Sequence, residues 1–247
     1  MSASSTAGLV LIGNELLSGR TQDANMAFLG EKLAEIGIPL VEARVIPDVT
    51  RVIVDTVNEM RARVTYLFTT GGIGPTHDDI TAAAVAEAFG VEHRLDERAV
   101  AIMQANYAPG ELNEARLRMA TLPAGADLIE NPVSRAPGFR IGNVYVMAGI
   151  PKIMQAMFES VKPTLTGGPP ILSESVTVFL PESKVAAGLG AIQDRHPTLD
   201  LGSYPFQLQG RFGTRLVARG TDTAALAAAK AEILALVEGL GGDYALG

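Results

Sequence analysis

Short apolar runs alternate with helical repeats along the first part of the chain. Residues 8–13 form a continuous apolar run between two glycines, which is typical of a buried parallel strand. Residues 25–36 place Met, Leu, Leu and Ile at helical spacing, and Gly37 ends the pattern. The same pairing recurs in residues 40–46 with 52–60 and in residues 65–70 with 80–89. Three strand–helix units predict an α/β fold: a doubly wound, mostly parallel sheet with helices on both faces.

The regular alternation stops after the third unit. Residues 96–119 predict two short peripheral helices with a break at Pro109-Gly110. Gly142-Asn143 lies between two β-prone runs, a pattern typical of a two-residue hairpin. We therefore expect antiparallel strands to extend one edge of the parallel sheet.

A second, smaller domain is predicted at the C-terminal end. Pro151 predicts the start of a further helix, since proline is favoured in the first turn. Residues 162–170 are rich in proline and glycine and are the best linker candidate, so we predict domains at 1–166 and 171–247. The segments predicted beyond the linker are a strand at 175–180, a helix at 184–192, a strand at 216–219 and a helix at 223–240. This order indicates a small α+β domain.

Composition narrows the function classes. The 247 residues include 47% apolar and 19% charged residues and no cysteine, which indicates a globular chain without disulfides or thiolate chemistry. A net charge of -7 argues against nucleic-acid binding, and no run approaches the about 18 apolar residues of a membrane span. We expect a soluble, cytoplasmic protein that holds any anionic ligand locally.

The most informative loop follows the third predicted strand. Thr70-Gly71-Gly72-Ile73-Gly74-Pro75-Thr76 lets the backbone approach an anion closely, and a helix N-terminus follows it. The loop lacks the Gly-Lys-Ser/Thr ending of a Walker A sequence. A plain tight turn is the alternative interpretation, but the attached sequence Pro-Thr-His-Asp-Asp-Ile-Thr favours a phosphate site.

Carboxylates follow three predicted strands at the same edge of the sheet. They are Glu15, Asp48, Asp78 and Asp79, which together suit a hard divalent cation beside phosphate oxygens. The three aspartates also precede predicted helices, so capping remains an alternative, and the two roles can coexist. Asn25 and Thr81 have the same two interpretations. Weaker candidates for anion contacts are Arg20, Arg135, Arg140 and Lys152.

Several motifs resemble a known family. They lie at residues 13–19, 23–25, 47–48, 70–81, 131–133 and 136–139. Together they resemble the N-terminal domain of the competence/damage-inducible protein A family, which is similar to the molybdopterin-binding fold of molybdenum-cofactor biosynthesis proteins. Residues 8–161 carry this resemblance, and residues 202–205 and 215–220 are similar to the small second domain of the family.

The resemblance implies an activity and a set of residues. It implies hydrolysis of a nucleotide pyrophosphate, such as ADP-ribose, with Mg²⁺, Mn²⁺ or Co²⁺. It also implies a nucleotide or pterin partner and a homo-oligomer. Asp48 and Asp79 are the implied catalytic residues, and the implied metal ligands are Glu15, Asp48, Asp78 and Asp79. The implied substrate or phosphate contacts are Ser18, Asn25, Thr70, Gly71, Gly72, Gly74, Pro75, Thr76 and Thr81.

Two alternative functions remain open, and the sequence departs from the family pattern at two places. The domain could be a non-catalytic module that binds molybdopterin or a nucleotide, or an adenylyltransferase that uses ATP and a pterin. Ser134-Arg135 replaces the family's usual Gly-Thr, and Ile153 replaces a glutamate. The deamidase domain of longer members has no room here, so we expect no deamidase activity.

Overall fold

The computed structural model describes residues 5–108, 110–208 and 210–246. The chain forms two compact units. The first contains Met1–Leu33 and Ile38–Gly168, and the second contains Ala34–Gly37 and Pro169–Gly247. Each unit has a hydrophobic core of its own.

The first unit alternates strands and helices before it becomes irregular. Its strands are β1 (Ala7–Ile12), β2 (Leu40–Ile46), β3 (Tyr66–Thr70), β4 (His93–Leu95), β5 (Thr121–Pro123), β6 (Asp127–Ile129), β7 (Gly138–Ile141) and β8 (Val144–Met147). Its helices are α1 (Asn14–Leu17), α2 (Asn25–Ala34), α3 (Thr50–Arg61), α4 (Thr81–Phe89), α5 (Glu97–Asn106), α6 (Glu114–Leu117) and α7 (Pro151–Val161). Short 3₁₀ turns cover Arg118–Ala120 and Lys162–Thr164.

The main sheet has the strand order β2-β1-β3-β8-β7-β6. The β2-β1, β1-β3 and β3-β8 pairs are parallel, and the β8-β7 and β7-β6 pairs are antiparallel. Ile141 pairs with Val144 across the predicted Gly142-Asn143 turn. The mostly parallel sheet and its antiparallel edge are therefore confirmed.

The position of each strand in the sheet explains the different burial patterns of β1 and β2. All six residues of β1 are buried, because β1 has a strand on each side and helices cover both faces. In contrast, β2 is an edge strand, and its first six residues are alternately half-buried and exposed, whereas Ile46 at its end is buried. On one face Val57 of α3 and Val85 of α4 pack in the core. On the other, Phe68 of β3 contacts Phe158 of α7 at a ring distance of 5.8 Å.

Three short strands of the first unit were not predicted from the sequence. The β4 and β5 strands pair as a separate antiparallel ribbon, and β6 is the edge of the main sheet. All three residues of β4 are exposed, so no apolar alternation marks the strand. The predicted helices around the Pro109-Gly110 break correspond to α5 and α6, although Pro109 itself lies outside the described residues.

The second unit contains a four-stranded antiparallel sheet of order β10-β11-β9-β12 and two helices. Its elements are β9 (Leu172–Val178), α8 (Glu182–Arg195), β10 (Asp200–Leu208), β11 (Arg211–Gly220), α9 (Thr223–Gly239) and β12 (Tyr244–Leu246). The α+β character is confirmed. The strand predicted at 175–180 begins and ends later than β9 does. The strands β10 and β12 were not predicted. Gly202 and Pro205 lie within β10, and both residue types are typical of loops.

No helix among the described residues is both long and apolar enough to cross a bilayer. The longest, α9, has 17 residues.

Candidate functional site

One cavity of about 580 Å³ opens at the carboxyl ends of the parallel strands. The loops after β1, β2, β3 and β8 all contribute to it, as the topology of an open parallel sheet requires. Backbone hydrogen bonds tie these loops together: Gly13 N donates to Ile46 O at 3.1 Å, and Gly71 N donates to Met147 O at 3.2 Å. The cavity is therefore held by the central strands of the sheet.

The glycine loop needs its glycines. Gly71 and Gly72 have φ angles of 104° and 65°, a region that side chains rarely adopt. A methyl group on Gly71 would overlap the carbonyl oxygen of Ile12, and one on Gly72 would overlap Oγ1 of Thr81. Any side chain at either position would therefore displace backbone or the buried start of α4.

Asp79 closes the glycine loop on itself. Its carboxylate accepts hydrogen bonds from Thr76 N at 2.8 Å and from Thr76 Oγ1. The same carboxylate lies where a side chain on Gly74 would have to be, so Gly74 permits this contact. The Thr76 side chain and the backbone amide of Asp78 itself lower the pKa of the neighbouring Asp78 carboxyl. Both carboxylates line the cavity.

Asp48 and Glu15 complete the acidic wall. Asp48 accepts a hydrogen bond from Asn14 N at 2.9 Å, which connects the loop after β2 to the loop after β1. The carboxylate of Glu15 lies over Gly13, within 2.6 Å of where a Cβ there would be. The capping interpretation is wrong, because Val49 and Ile80 are the N-caps of α3 and α4 and neither helix has a side-chain cap.

The charged side chains that line the cavity are all negative. Four carboxylates line it, and no lysine, arginine or histidine is among the described residues of its wall. At the same time, no group of three or more His, Asp or Glu side chains in the described part of the chain is arranged to hold a metal by itself. A cation here would need oxygen ligands from a second source, such as phosphate.

Asn25 and Thr70 line a smaller adjoining cavity of about 40 Å³ together with Glu15. Asn25 is 4% exposed, and its Nδ2 donates to Gly149 O at 2.8 Å. Its Oδ1 is buried and has no hydrogen-bond partner in the described structure. Since Gly149 lies directly against Gly71, Asn25 supports the glycine loop from behind.

Two predicted contacts lie outside both cavities. Ser18 is exposed, and its Oγ donates to Glu15 O at 3.2 Å. Thr81 is fully buried beneath Gly72. By contrast, Gly71, Gly72, Gly74, Pro75 and Thr76 all line the main cavity. None of Arg20, Arg135, Arg140 and Lys152 is among the lining residues, and Arg140 pairs with Asp127 instead.

The opposite wall of the cavity contains residues that the sequence did not single out. Tyr107 and Met119 come from the irregular segment between β4 and β5, where no motif marks them, and Ile150 lies in the loop after β8. Tyr107 Oη donates to Ser134 O at 2.8 Å. Ser134 and Ile153, two of the departures from the family pattern, also line the cavity.

The loop that carries these departures is held internally. Asn131 Nδ2 donates to Ser134 Oγ and to Ala136 O, while its Oδ1 accepts from Ser134 N. Arg135 has a φ of 67°, the only positive value at a non-glycine position among the described residues. The hydrogen bonds of Asn131 to Ser134 and Ala136 therefore hold the residues on both sides of Arg135.

Comparisons with known proteins agree with this geometry. Residues 8–167 match the family model of a probable molybdopterin-binding domain. The chain belongs to this family. Residues 170–240 match the model of the middle domain of FAD synthase.

Individual relatives cover different shares of the chain. A protein of Pyrobaculum calidifontis is 37% identical over 215 residues, which are 83% of this chain and 82% of that protein. A CinA-like protein of Citrifermentans bemidjiense is 40% identical over 163 residues, 63% of this chain and 39% of the relative. The crystal structure of CinA from Thermoplasma acidophilum superimposes with a TM-score of 0.62 and 33% identity, covering 66% of this chain and 99% of that one. The resemblance to the competence/damage-inducible protein A family is confirmed.

Proposed function

We propose that this domain hydrolyses the pyrophosphate bond of a nucleotide such as ADP-ribose with a divalent cation. The proposal rests on one observation: a glycine loop and four carboxylates share a cavity whose described wall has no cationic side chain. A diphosphate on this loop would face negative charge, and the Coulomb repulsion between close like charges is large where water is excluded. A cation between the two groups removes that repulsion.

The side chains present fit such a cation. They offer only oxygen donors, which Mg²⁺ and Mn²⁺ prefer, and Mg²⁺ commonly takes one or two protein carboxylates together with phosphate oxygens. Asp48 and Asp79 are the residues that would hold it, with Glu15 and Asp78 as further donors. When bound, the metal would neutralise the charge that develops on the phosphates.

The backbone of the loop would bind the diphosphate directly. The N–H groups of Gly72, Ile73 and Gly74 donate to no acceptor within the described residues. Consecutive amides of this kind bind anions, and glycines allow the close approach. Asp79 would keep these amides in place through Thr76, and a free carboxylate oxygen would orient the attacking water.

Purified protein with ADP-ribose and Mn²⁺ tests the proposal. We expect release of AMP and ribose 5-phosphate that stops when EDTA is added. Asp48→Asn keeps an acceptor for Asn14 N but removes the charge, and it should lower kcat by about 100-fold or more. Asp55→Asn, at an exposed carboxylate of α3 outside the cavity, is the matched control and should keep full activity. Turnover that persists without metal, or no turnover at all, would dismiss the hydrolase.

A non-catalytic binding module is the second candidate. Tyr107, Met119 and Ile150 give the wall opposite the carboxylates an apolar surface on which a flat pterin or base can pack, and the family is described as molybdopterin-binding. Calorimetry with molybdopterin separates the two, since tight binding without any turnover favours the module. An adenylylated pterin formed from ATP would instead indicate adenylyl transfer.

A further inference from the structure

A second cavity of about 240 Å³ lies on the other side of the glycine loop. Gly72, Ile73, Gly74, Asp79 and Met119 line both cavities, so the loop is the partition between them. The remaining wall of the second cavity consists of Ala82, His93, Arg118, Thr121, Leu122, Pro137 and Phe139. We call it the Arg118 cavity.

The Arg118 cavity differs from the main cavity in charge. Arg118 is exposed and makes no hydrogen bond or ion pair with the described residues. Asp79, the carboxylate in the partition, bonds to Thr76 and forms no ion pair with Arg118. The guanidinium therefore keeps its donors for a ligand, in contrast to the main cavity, whose described wall has no cation.

His93 is the other nitrogen-bearing side chain of this wall. Its Nε2 lies 3.0 Å from the carbonyl oxygen of Thr121, which can only accept, so this nitrogen carries the proton. The bond fixes the ring against β5 and leaves Nδ1 without a partner within the described residues. Leu122 and Phe139 line the same cavity as Arg118 and His93.

We propose that the Arg118 cavity binds a phosphate monoester of the same ligand whose diphosphate lies in the main cavity. This inference rests on the proposed function and narrows its substrate class to nucleoside diphosphates that carry a separate phosphate. Guanidinium groups bind phosphate through paired hydrogen bonds, and the volume of the cavity accommodates a phosphate with part of its sugar. The two cavities share Gly72, Ile73, Gly74 and Asp79, so the proposed phosphate site lies next to the proposed diphosphate site.

Titration calorimetry with Ca²⁺ in place of Mn²⁺, so that hydrolysis does not consume the probes, compares ADP-ribose with ADP-ribose 2′-phosphate. The wild-type protein should bind the phosphorylated probe at least about tenfold more tightly, as expected for charge-assisted hydrogen bonds. Arg118→Gln should abolish this preference and leave the Kd for ADP-ribose within about twofold. Arg94→Gln, at an exposed arginine of β4 outside both cavities, should keep it.

The outcomes separate the two proposals. Equal wild-type affinity for both probes overturns the phosphate site and leaves the proposed hydrolase untouched. A preference that survives in Arg118→Gln also overturns it, provided that circular dichroism shows the variant folded. If neither probe binds with Ca²⁺ and neither is hydrolysed with Mn²⁺, the hydrolase and the phosphate site both fall.

Discussion

Gly72 carries two separate constraints at a single position. Its φ of 65° disfavours any side chain, and the space next to its Cα is filled by Oγ1 of Thr81. Gly90, at the C-terminal end of α4, has nearly the same φ of 64° but nothing within 4 Å of an added methyl group. The pair therefore separates backbone strain from steric overlap.

We expect Gly72→Ala to abolish nucleotide binding and to lower stability more than Gly90→Ala does. Gly90→Ala should cost about 1–2 kcal/mol, the left-handed penalty alone, and leave binding unchanged. Thermal unfolding and ADP-ribose calorimetry on both variants provide the measurement. Equal loss of stability and intact binding in Gly72→Ala would show that the loop relaxes freely.

The residues of the site were predictable where strand ends brought them together. Glu15, Asp48 and Asp79 each follow a parallel strand, and the common edge of such strands follows from topology alone. Asn25 was placed among the ligand contacts, but its side chain turns inward to Gly149, a contact of 124 residues' separation that no local pattern indicates. Tyr107 and Arg118 reach the two cavities through irregular chain, which leaves no periodic signal.

At the scale of elements, an ion-pair cluster joins the edge strand β2 to α3. Arg44 donates from both terminal nitrogens to the two carboxylate oxygens of Glu59, at 2.7 and 2.6 Å, and from Nε to Glu42 at 2.7 Å. The hydrogen bond with Arg44 is the main reason that the pKa of Glu59 falls from 4.5 to about 2. A lowered pKa means that the folded state stabilises the charged form.

The contribution of Glu59 to stability should be present above pH 4.5 and lost as the pH falls toward 2. Glu59→Gln should lower Tm slightly at pH 7, and the difference from the wild type should shrink between pH 4.5 and 2. Scanning calorimetry across that range measures it, with the exposed Glu159→Gln as control. A difference that stays constant with pH would contradict the assigned cause.

Elements with strong periodicity were predicted and short ones were missed. The continuous apolar run of β1 reflects burial on both faces of the strand. The helical repeat of α3 reflects burial on one face of the helix. Each pattern can be recognised in the sequence. The residues of β4 are all exposed and become a strand only because β5 lies beside them. Such strands depend on tertiary pairing, which local sequence does not encode.

At the scale of the whole molecule, the two units bury separate cores. Leu67 on the central strand β3 is fully buried in the core of the first unit. Leu95 on β4, in the same unit, is 51% exposed. The two leucines thus differ in burial and not in chemistry.

Leu67→Ala should cost about 2–5 kcal/mol of unfolding free energy through lost burial and a cavity. Leu95→Ala should change it by about 0.5 kcal/mol or less. Urea denaturation followed by circular dichroism compares them. Similar costs for both would mean that β3 is not a central strand of a packed core. The predicted domain limits, the homo-oligomer and the cytoplasmic location stay predictions.

The acidic wall of the main cavity has a consequence for how the domain responds to its surroundings. Under the proposed function, an added nucleotide would gain affinity only after ions have screened the carboxylates of Glu15, Asp48, Asp78 and Asp79, which repel a free polyanion. Occupancy would then follow the free magnesium or manganese level of the medium as closely as the level of the nucleotide itself. The amount of the proposed complex would then depend on two concentrations, that of the metal ion and that of the nucleotide.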